Sequence, residues 1–276
     1  MTEVGFFPPP HYALGKIITF EQPEHTAWII TTKLSQQNSQ LEEFDVEPGL
    51  PSWAFATFLV RNPATGQEAY MRVYQQVPHL GTEFFPVDER AKQATPSYHR
   101  EVHALKALHE QKSTITPALL AIKEDVQDGQ GFVPGGYIIH TVFQRVPGVR
   151  LADDRILPRY RASPHTFFAK FSDLEREQIR MCFDKEYRML AKMGWVPTFP
   201  WASNLFWDAS FQKLYFVDFR DPTKIGSPDE DVVGGGDEEE NENMEEEPML
   251  DIWERWGLAI SPDGDKDRAD LSRWEL

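Results

Sequence analysis

The sequence predicts an α+β fold in two lobes, an antiparallel sheet with one helix over residues 1–143 and a mainly helical part over residues 144–276. Three observations carry that reading. Residues 60–74 place apolar side chains alternately at Ala69, Met71 and Val73 behind a turn with Pro63 and Gly66, the pattern of two paired strands. Residues 97–109 put Glu101, Leu105 and Leu108 on one face of a helix, with Ser97 as its N-cap. Residues 173–193 bring Ile179, Phe183, Tyr187 and Leu190 to helical spacing and stop at Gly194.

The remaining elements follow in order. Two apolar strands are expected at residues 117–122 and 136–143, then a connecting stretch at 144–151 that leads into the second lobe. Residues 229–247 hold eleven Asp and Glu with no Lys or Arg, broken by three glycines at 234–236. Such a segment cannot bury enough apolar surface to fold, so an acidic insertion without fixed structure is expected at about 228–248. After it, Ile252, Trp253 and Trp256 return close to helical spacing and should dock on the second lobe.

The chemistry-bearing residues fall into two groups. In the first, Arg72 lies on the second strand and Glu101 on the buried stripe of the helix. The same helix carries His99 and His103, four apart, but H-x-E-x-H matches neither zinc signature and leaves Glu101 on the opposite side. These two are read as solvent-facing histidines. In the second group, Asn204 is followed by Asp218, Phe219 and Arg220, downstream of a bulky loop with Trp195, Phe199, Trp201, Phe206 and Trp207. Those rings either pack the second lobe or line a pocket for an apolar small molecule, with Trp195, Phe199 and Trp201 as its candidate walls.

The order of cation strand, Glu helix, connecting stretch, Asn and Asp-Phe resembles the protein-kinase-like superfamily over roughly residues 53 to 221. Within it, the chain is more similar to aminoglycoside- and choline-phosphotransferase-like proteins and their fungal relatives than to true protein kinases. The resemblance implies a nucleotide cleft between two lobes, ATP and Mg²⁺ as cofactors, an ion pair between Arg72 and Glu101 with both as nucleotide-binding residues, and Asn204 and Asp218 as metal ligands.

Several departures bear on activity. Where the family has its proton-accepting aspartate, five residues before Asn204, this chain has Phe199, which can neither accept a proton nor orient a hydroxyl. Arg220 stands where a glycine should follow Asp218 and Phe219, a place that calls for φ > 0. No segment ending in A-P-E follows. Residues 28–53, where a glycine-rich turn should cover the phosphates, hold only Gly49 together with Glu42, Glu43, Asp45 and Glu47, which weighs against a triphosphate.

Composition sets the outer limits. With 276 residues, 41% of them hydrophobic, the chain can bury a sizeable core as one two-lobed domain or two small ones. No run of about 18 apolar residues offers a membrane span, and the first ten residues have no basic region or apolar core for secretion. One cysteine, Cys182, fits a reducing, cytoplasmic compartment. A net charge of −16 argues against nucleic acid as a partner, leaving a small molecule as the expected one and a protein partner open.

Three functions remain at this stage. One is a pseudokinase-like ligand-binding, nucleotide-binding or scaffold protein. Another is an enzyme of non-phosphotransfer chemistry on an apolar metabolite, with Glu101, Asp218 or Arg220 as the catalytic candidate. The third is a small-molecule phosphotransferase in which another group, such as Asp153, His165 or Asp208, serves for the missing base.

Overall fold

The computed structural model describes residues 5–42, 50–96, 99–152, 165–220, 222–225, 248–262, 271–274 and 276. The chain divides into two compact units, Met1–Val102 with Ala118–Arg145, and His103–Pro117 with Val146–Leu276. Residues 103–117 cluster with the second unit, so the helix and the strands of the expected first lobe, 1–143, are divided between the two. The Ser97 cap, Gly49 with its acidic neighbours Glu43, Asp45 and Glu47, Asp153 and the acidic insertion lie outside the described residues.

The first unit opens with a short helix α1 (Pro9–Tyr12) and strands β1 (Ile17–Phe20), β2 (Thr26–Ser39), β3 (Trp53–Arg61) and β4 (Glu68–Gln76). Helix α2 (Val87–Ala91) and helix α3 (Arg100–Glu110) follow, then β5 (Leu119–Val126) and β6 (Tyr137–Gln144). The six strands form one antiparallel sheet in the order β1-β2-β3-β4-β6-β5. Its two edges meet at one point, where the Ile122 N–H of β5 donates to the Gln22 carbonyl just after β1 (3.0 Å).

Strand alternation sends successive residues to opposite faces. Ala69, Met71 and Val73 of β4 go to one face, where they pack with Ala54, Ala56 and Phe58 of β3 and with Val142 of β6. The N-terminal segment belongs to the same core through Phe6, Phe7, Tyr12 and Phe20, and the Gln75 side-chain amide donates to the Phe6 carbonyl. Residues 5–20 therefore supply both an edge strand and a cover for the sheet. The opposite face carries Phe55, Tyr74, Tyr137 and Ile139, packed with Val102 of α3.

The second unit contains β7 (Val149–Arg150), α4 (His165–Lys170), the long α5 (Asp173–Lys192), β8 (Trp195–Pro197), β9 (Leu205–Asp208), β10 (Lys213–Phe216), β11 (Pro222–Lys224) and α6 (Met249–Arg255). Ser172 caps α5 reciprocally with Glu175, the capping-box arrangement, and Gly194 ends it at φ +80°. Phe183 and Tyr187 of α5 meet Phe216 of β10 and Trp256 just after α6, with Phe183 to Trp256 centroids 5.5 Å apart. Trp253 Nε1 donates to Asp184 at 2.6 Å, so the segment after the acidic stretch docks as its apolar spacing predicts.

The second unit is less purely helical than the sequence leads one to expect. Among the described residues two small sheets, β10-β9-β7 and β11-β8, are interleaved with the helices. The aromatic-rich stretch 195–216 pairs as short strands because its rings pack well on a pleated surface. Among the described residues no helix is long and apolar enough to cross a membrane.

Candidate functional site

The first group of candidate residues lies wholly within the first unit. Arg72 and Tyr74, two apart on β4, share the face on which Val102 packs, and Glu101 enters from the first turn of α3. Arg72 Nη1 donates to one Glu101 oxygen and the Tyr74 hydroxyl donates to the other. Arg72 Nε also reaches Thr57 Oγ1 at 3.4 Å, and its guanidinium lies over the Phe55 and Phe143 rings at 5.7 and 5.4 Å. The side chains of Arg72 and Glu101 are only 10% and 4% exposed. Burial and the Glu101 carboxylate together push the Tyr74 phenol well above its usual pKa.

The ion pair is therefore present, in a setting that the sequence reading did not foresee. Arg72 is enclosed by two rings and committed to Glu101 and Thr57. The signal was legible in part, since Arg72 and Tyr74 alternate on one strand face. The cross-strand partner Thr57 follows only from register, which the structure supplies. His99 is a correction: instead of facing solvent, its ring is half-buried and stacks on Tyr74 at 4.5 Å, with Trp53 and Tyr137 at its edges. It lies just before α3, where the aromatic face of the sheet takes it up. His103 is exposed as expected.

The second group lies within the second unit. A 3₁₀ turn, Ala202–Asn204, buries Asn204, whose Nδ2 donates to the Phe199 carbonyl at 3.1 Å. The Val217 N–H donates to the Asn204 carbonyl at 2.9 Å, which ties the Asn turn to the Asp-Phe segment. Arg220 grips Asp218 with a fork: Nε donates to Oδ1 at 2.5 Å and Nη2 to Oδ2. The left-handed residue of this segment is Asp218 at φ +68°, and Arg220 lies outside that region. The strain expected at Arg220 is thus carried two residues earlier by an aspartate, a residue type that tolerates this conformation better than most.

The aromatic loop splits. Trp195, expected as a pocket wall, is buried in the core of the second unit, because β8 pairs with β11 and draws its ring inward. Phe199 and Trp201 are 43% and 40% exposed and pack on each other at 5.2 Å. Trp207 is buried and Phe206 lies under the Arg150 guanidinium. Of the alternative bases, Asp208 is buried and accepts from the Ser210 N–H at 3.0 Å, closing the β9–β10 hairpin. The His165 side chain lies outside the described residues.

The metal and nucleotide implied by the sequence resemblance can be tested against this geometry. Both carboxylate oxygens of Asp218 accept from Arg220, and the Asn204 amide is turned to its own loop. A dication at Asp218 would face a guanidinium at contact distance. At an effective dielectric near 20, like unit charges about 4 Å apart repel by roughly 4 kcal/mol, and a double charge doubles that. As arranged, these residues do not fit Mg²⁺. Among the described residues no cluster of three or more His, Cys, Asp or Glu could hold a metal.

No protein-family model matches the sequence. No curated protein matches it either. Among solved structures, the chain is similar to the kinase PK-1 of Cydia pomonella granulovirus, with a TM-score of 0.40 and 12% sequence identity over 73% of this chain. The match spans just over half, 56%, of the viral kinase.

Proposed function

We propose that this chain is a pseudokinase-like protein, a ligand-binding or scaffold module in kinase-like element order that works without metal-dependent phosphoryl transfer. The observation that carries this reading is the Arg220 fork on Asp218. The guanidinium brings to Asp218 the positive charge that a metal would otherwise supply, and a bidentate Arg–carboxylate pair is strong and directional. Two further features support it. Phe199 replaces the base, and Arg72 is spent on Glu101 and Thr57 beneath two rings, with little surface left for a phosphate.

The test is thermal unfolding with ATP, ADP or GTP, each with and without Mg²⁺, on the parent chain and on Arg220→Gly. A ligand that binds the native state raises the melting temperature by mass action. The parent chain is expected to show no Mg²⁺-dependent rise. Arg220→Gly is expected to gain one, and Asp218→Ala in that background to lose it. A Mg²⁺-dependent rise in the parent chain that disappears in Asp218→Ala would sink the reading.

A second reading is favoured by one observation, the exposed Phe199 and Trp201 pair at the place of the missing base. Such a pair suits an apolar or aromatic small molecule, bound or transformed beside Asp218. Saturable binding of indole in ligand-observed NMR, lost in Trp201→Ala, would support it.

A further inference from the structure

Between β4 and α2 the chain puts four large apolar side chains into water within residues 80–87. Leu80, Phe84, Phe85 and Val87 are 49%, 91%, 42% and 47% exposed. Single exposed apolar residues are ordinary, but several on one short stretch mark an interaction surface. The stretch is held from both sides. The Leu80 N–H donates to the Leu41 carbonyl at 2.9 Å, and the Phe85 N–H closes a turn onto the Thr82 carbonyl at 3.0 Å. The Thr82 hydroxyl donates to the His79 carbonyl at 2.8 Å and accepts from the Gln93 amide at 3.0 Å. From α2, Arg90 Nε donates to the Phe85 carbonyl at 3.1 Å, and its Nη1 donates to the Gly131 carbonyl at the same distance. Polar groups are thus turned inward and the two rings outward. A ring presented on a fixed backbone loses little freedom when a partner covers it, which is what a binding anchor requires.

The rim selects the charge of that partner. Glu42 bridges to Leu80, Glu83 precedes Phe84, and Asp88 and Glu89 open α2. Glu83 accepts from the Gln40 amide at 2.8 Å, which fixes its charge beside Phe84 without neutralising it. The neighbouring cations are committed: Lys92 is tied to Glu89 at 2.7 Å, and Arg90 is turned to carbonyls. A net negative rim repels a second copy of the same patch and an anionic lipid surface, and favours Lys and Arg on whatever docks.

The shape selects the element. A projecting ring needs a hole, and four side chains along the apolar stripe of a helix provide one. We propose that residues 80–87 dock a basic amphipathic helix of another protein. Phe84 sits between the apolar residues of that helix, and its flanking Lys and Arg face Glu83 and Asp88. This inference does not depend on the reading of Asp218 and Arg220, and its test contains neither nucleotide nor metal.

The test is calorimetric titration of the full chain with an amphipathic helix of about 14 Leu and Lys residues, or about four turns. One control is the same residues in scrambled order, which keeps the charge and loses the apolar stripe; the other is a Leu/Glu helix of the original pattern. Saturable binding of the patterned Leu/Lys helix is expected, weakened at least about tenfold in both Phe84→Ser and Phe85→Ser. It should persist in Phe211→Ser, which removes a ring 78% exposed in the second unit. Phe84 already lies in water, so the melting temperature of Phe84→Ser is expected to stay level, which separates lost binding from lost folding. No saturable binding, equal affinity for the scrambled or the Leu/Glu peptide, or equal affinity in Phe84→Ser would overturn the proposal. So would a dimer in sedimentation that Phe84→Ser dissociates, which assigns the patch to a second copy. Pelleting with phosphatidylcholine vesicles that the same substitution abolishes would overturn it in favour of a membrane surface.

Discussion

The first unit is organised around buried polar groups and the second around rings. In the first, Glu101 is held between Arg72 and Tyr74, and His140 lies 7% exposed against Tyr12, whose hydroxyl is 3.3 Å from its Nε2. In the second, Phe183, Phe216 and Trp256 form an apolar cluster closed by α6. The difference lies in what each unit loses when disturbed. A buried ion pair adds little net stability over a hydrophobic replacement but is costly to break, whereas an apolar core loses in proportion to the volume removed.

The largest expected effects come from striking each unit in its own terms. Glu101→Ala leaves Arg72 charged and buried, and should destabilise the first unit by about 3–5 kcal/mol. Replacing both partners, Arg72→Met with Glu101→Leu, should restore most of that. Trp256→Ala should cost the second unit about 3–5 kcal/mol through the cavity it leaves, with no rescuing partner change. Urea unfolding followed by a probe in each unit would check both. A double replacement in the first unit as unstable as the single one would end the contrast.

pH should separate the units next. Burial holds the His140 imidazole down at about 4, from an ordinary value of 6.5, with the Lys123 charge adding to the drop and the Asp125 charge opposing it. The native state keeps this His neutral while the unfolded chain protonates it. Its contribution is therefore complete above about pH 6.5 and falls as pH drops toward 4, with a slope of at most about 1.4 kcal/mol per pH unit. Glu186 in α5 behaves oppositely: burial raises its carboxyl to about 7 against the Leu214 N–H and the charges of Lys213 and Lys185. The native state holds that proton better than the unfolded chain, so stability from this group is present below about pH 4.5 and is lost as pH rises to 7. Glu186→Gln should abolish the loss in the second unit and leave the acid sensitivity of the first, as read from denaturation midpoints between pH 4 and 8.

The smallest stability effect should come from Arg220→Gly. Its side chain is 37% exposed, so solvent screening leaves even this bidentate pair a net contribution of only about 1 kcal/mol, however directional its bonds. A large gain in metal affinity beside a small change in stability would mark Arg220 as a charge substitute; a loss of several kcal/mol by calorimetry would mark it as structural.

How much of this could be read in advance differs along the chain. The strands at 60–74, the capped helix ending at Gly194 and the docking of Trp256 rest on local periodicity and caps, and the structure has them where the spacing puts them. The Arg72 to Glu101 pair is present as the family resemblance implies, with Arg72 on a strand face and Glu101 on a helix stripe. Trp195 and His99 were misjudged for a common reason: a ring has no periodic partner in sequence, and its environment depends on which distant strand pairs beside it. The second part was expected to be mainly helical because α5 dominates its pattern, while strands of two to four residues leave too short a period to detect.

The sequence by itself determined the order of the main elements, a phenylalanine five residues before Asn204, the strand and helix faces of Arg72 and Glu101, and the placing of Arg220 two residues after Asp218. Only the tertiary structure decided that Arg220 closes both oxygens of Asp218, that Phe55 and Phe143 enclose Arg72, and that Phe84 and Phe85 stand outward on a pinned turn. The physical reason is range. Periodicity, capping and charge spacing act within a few residues, but ring enclosure, fork geometry and ring exposure depend on register between strands and on the turn of a backbone at a single residue.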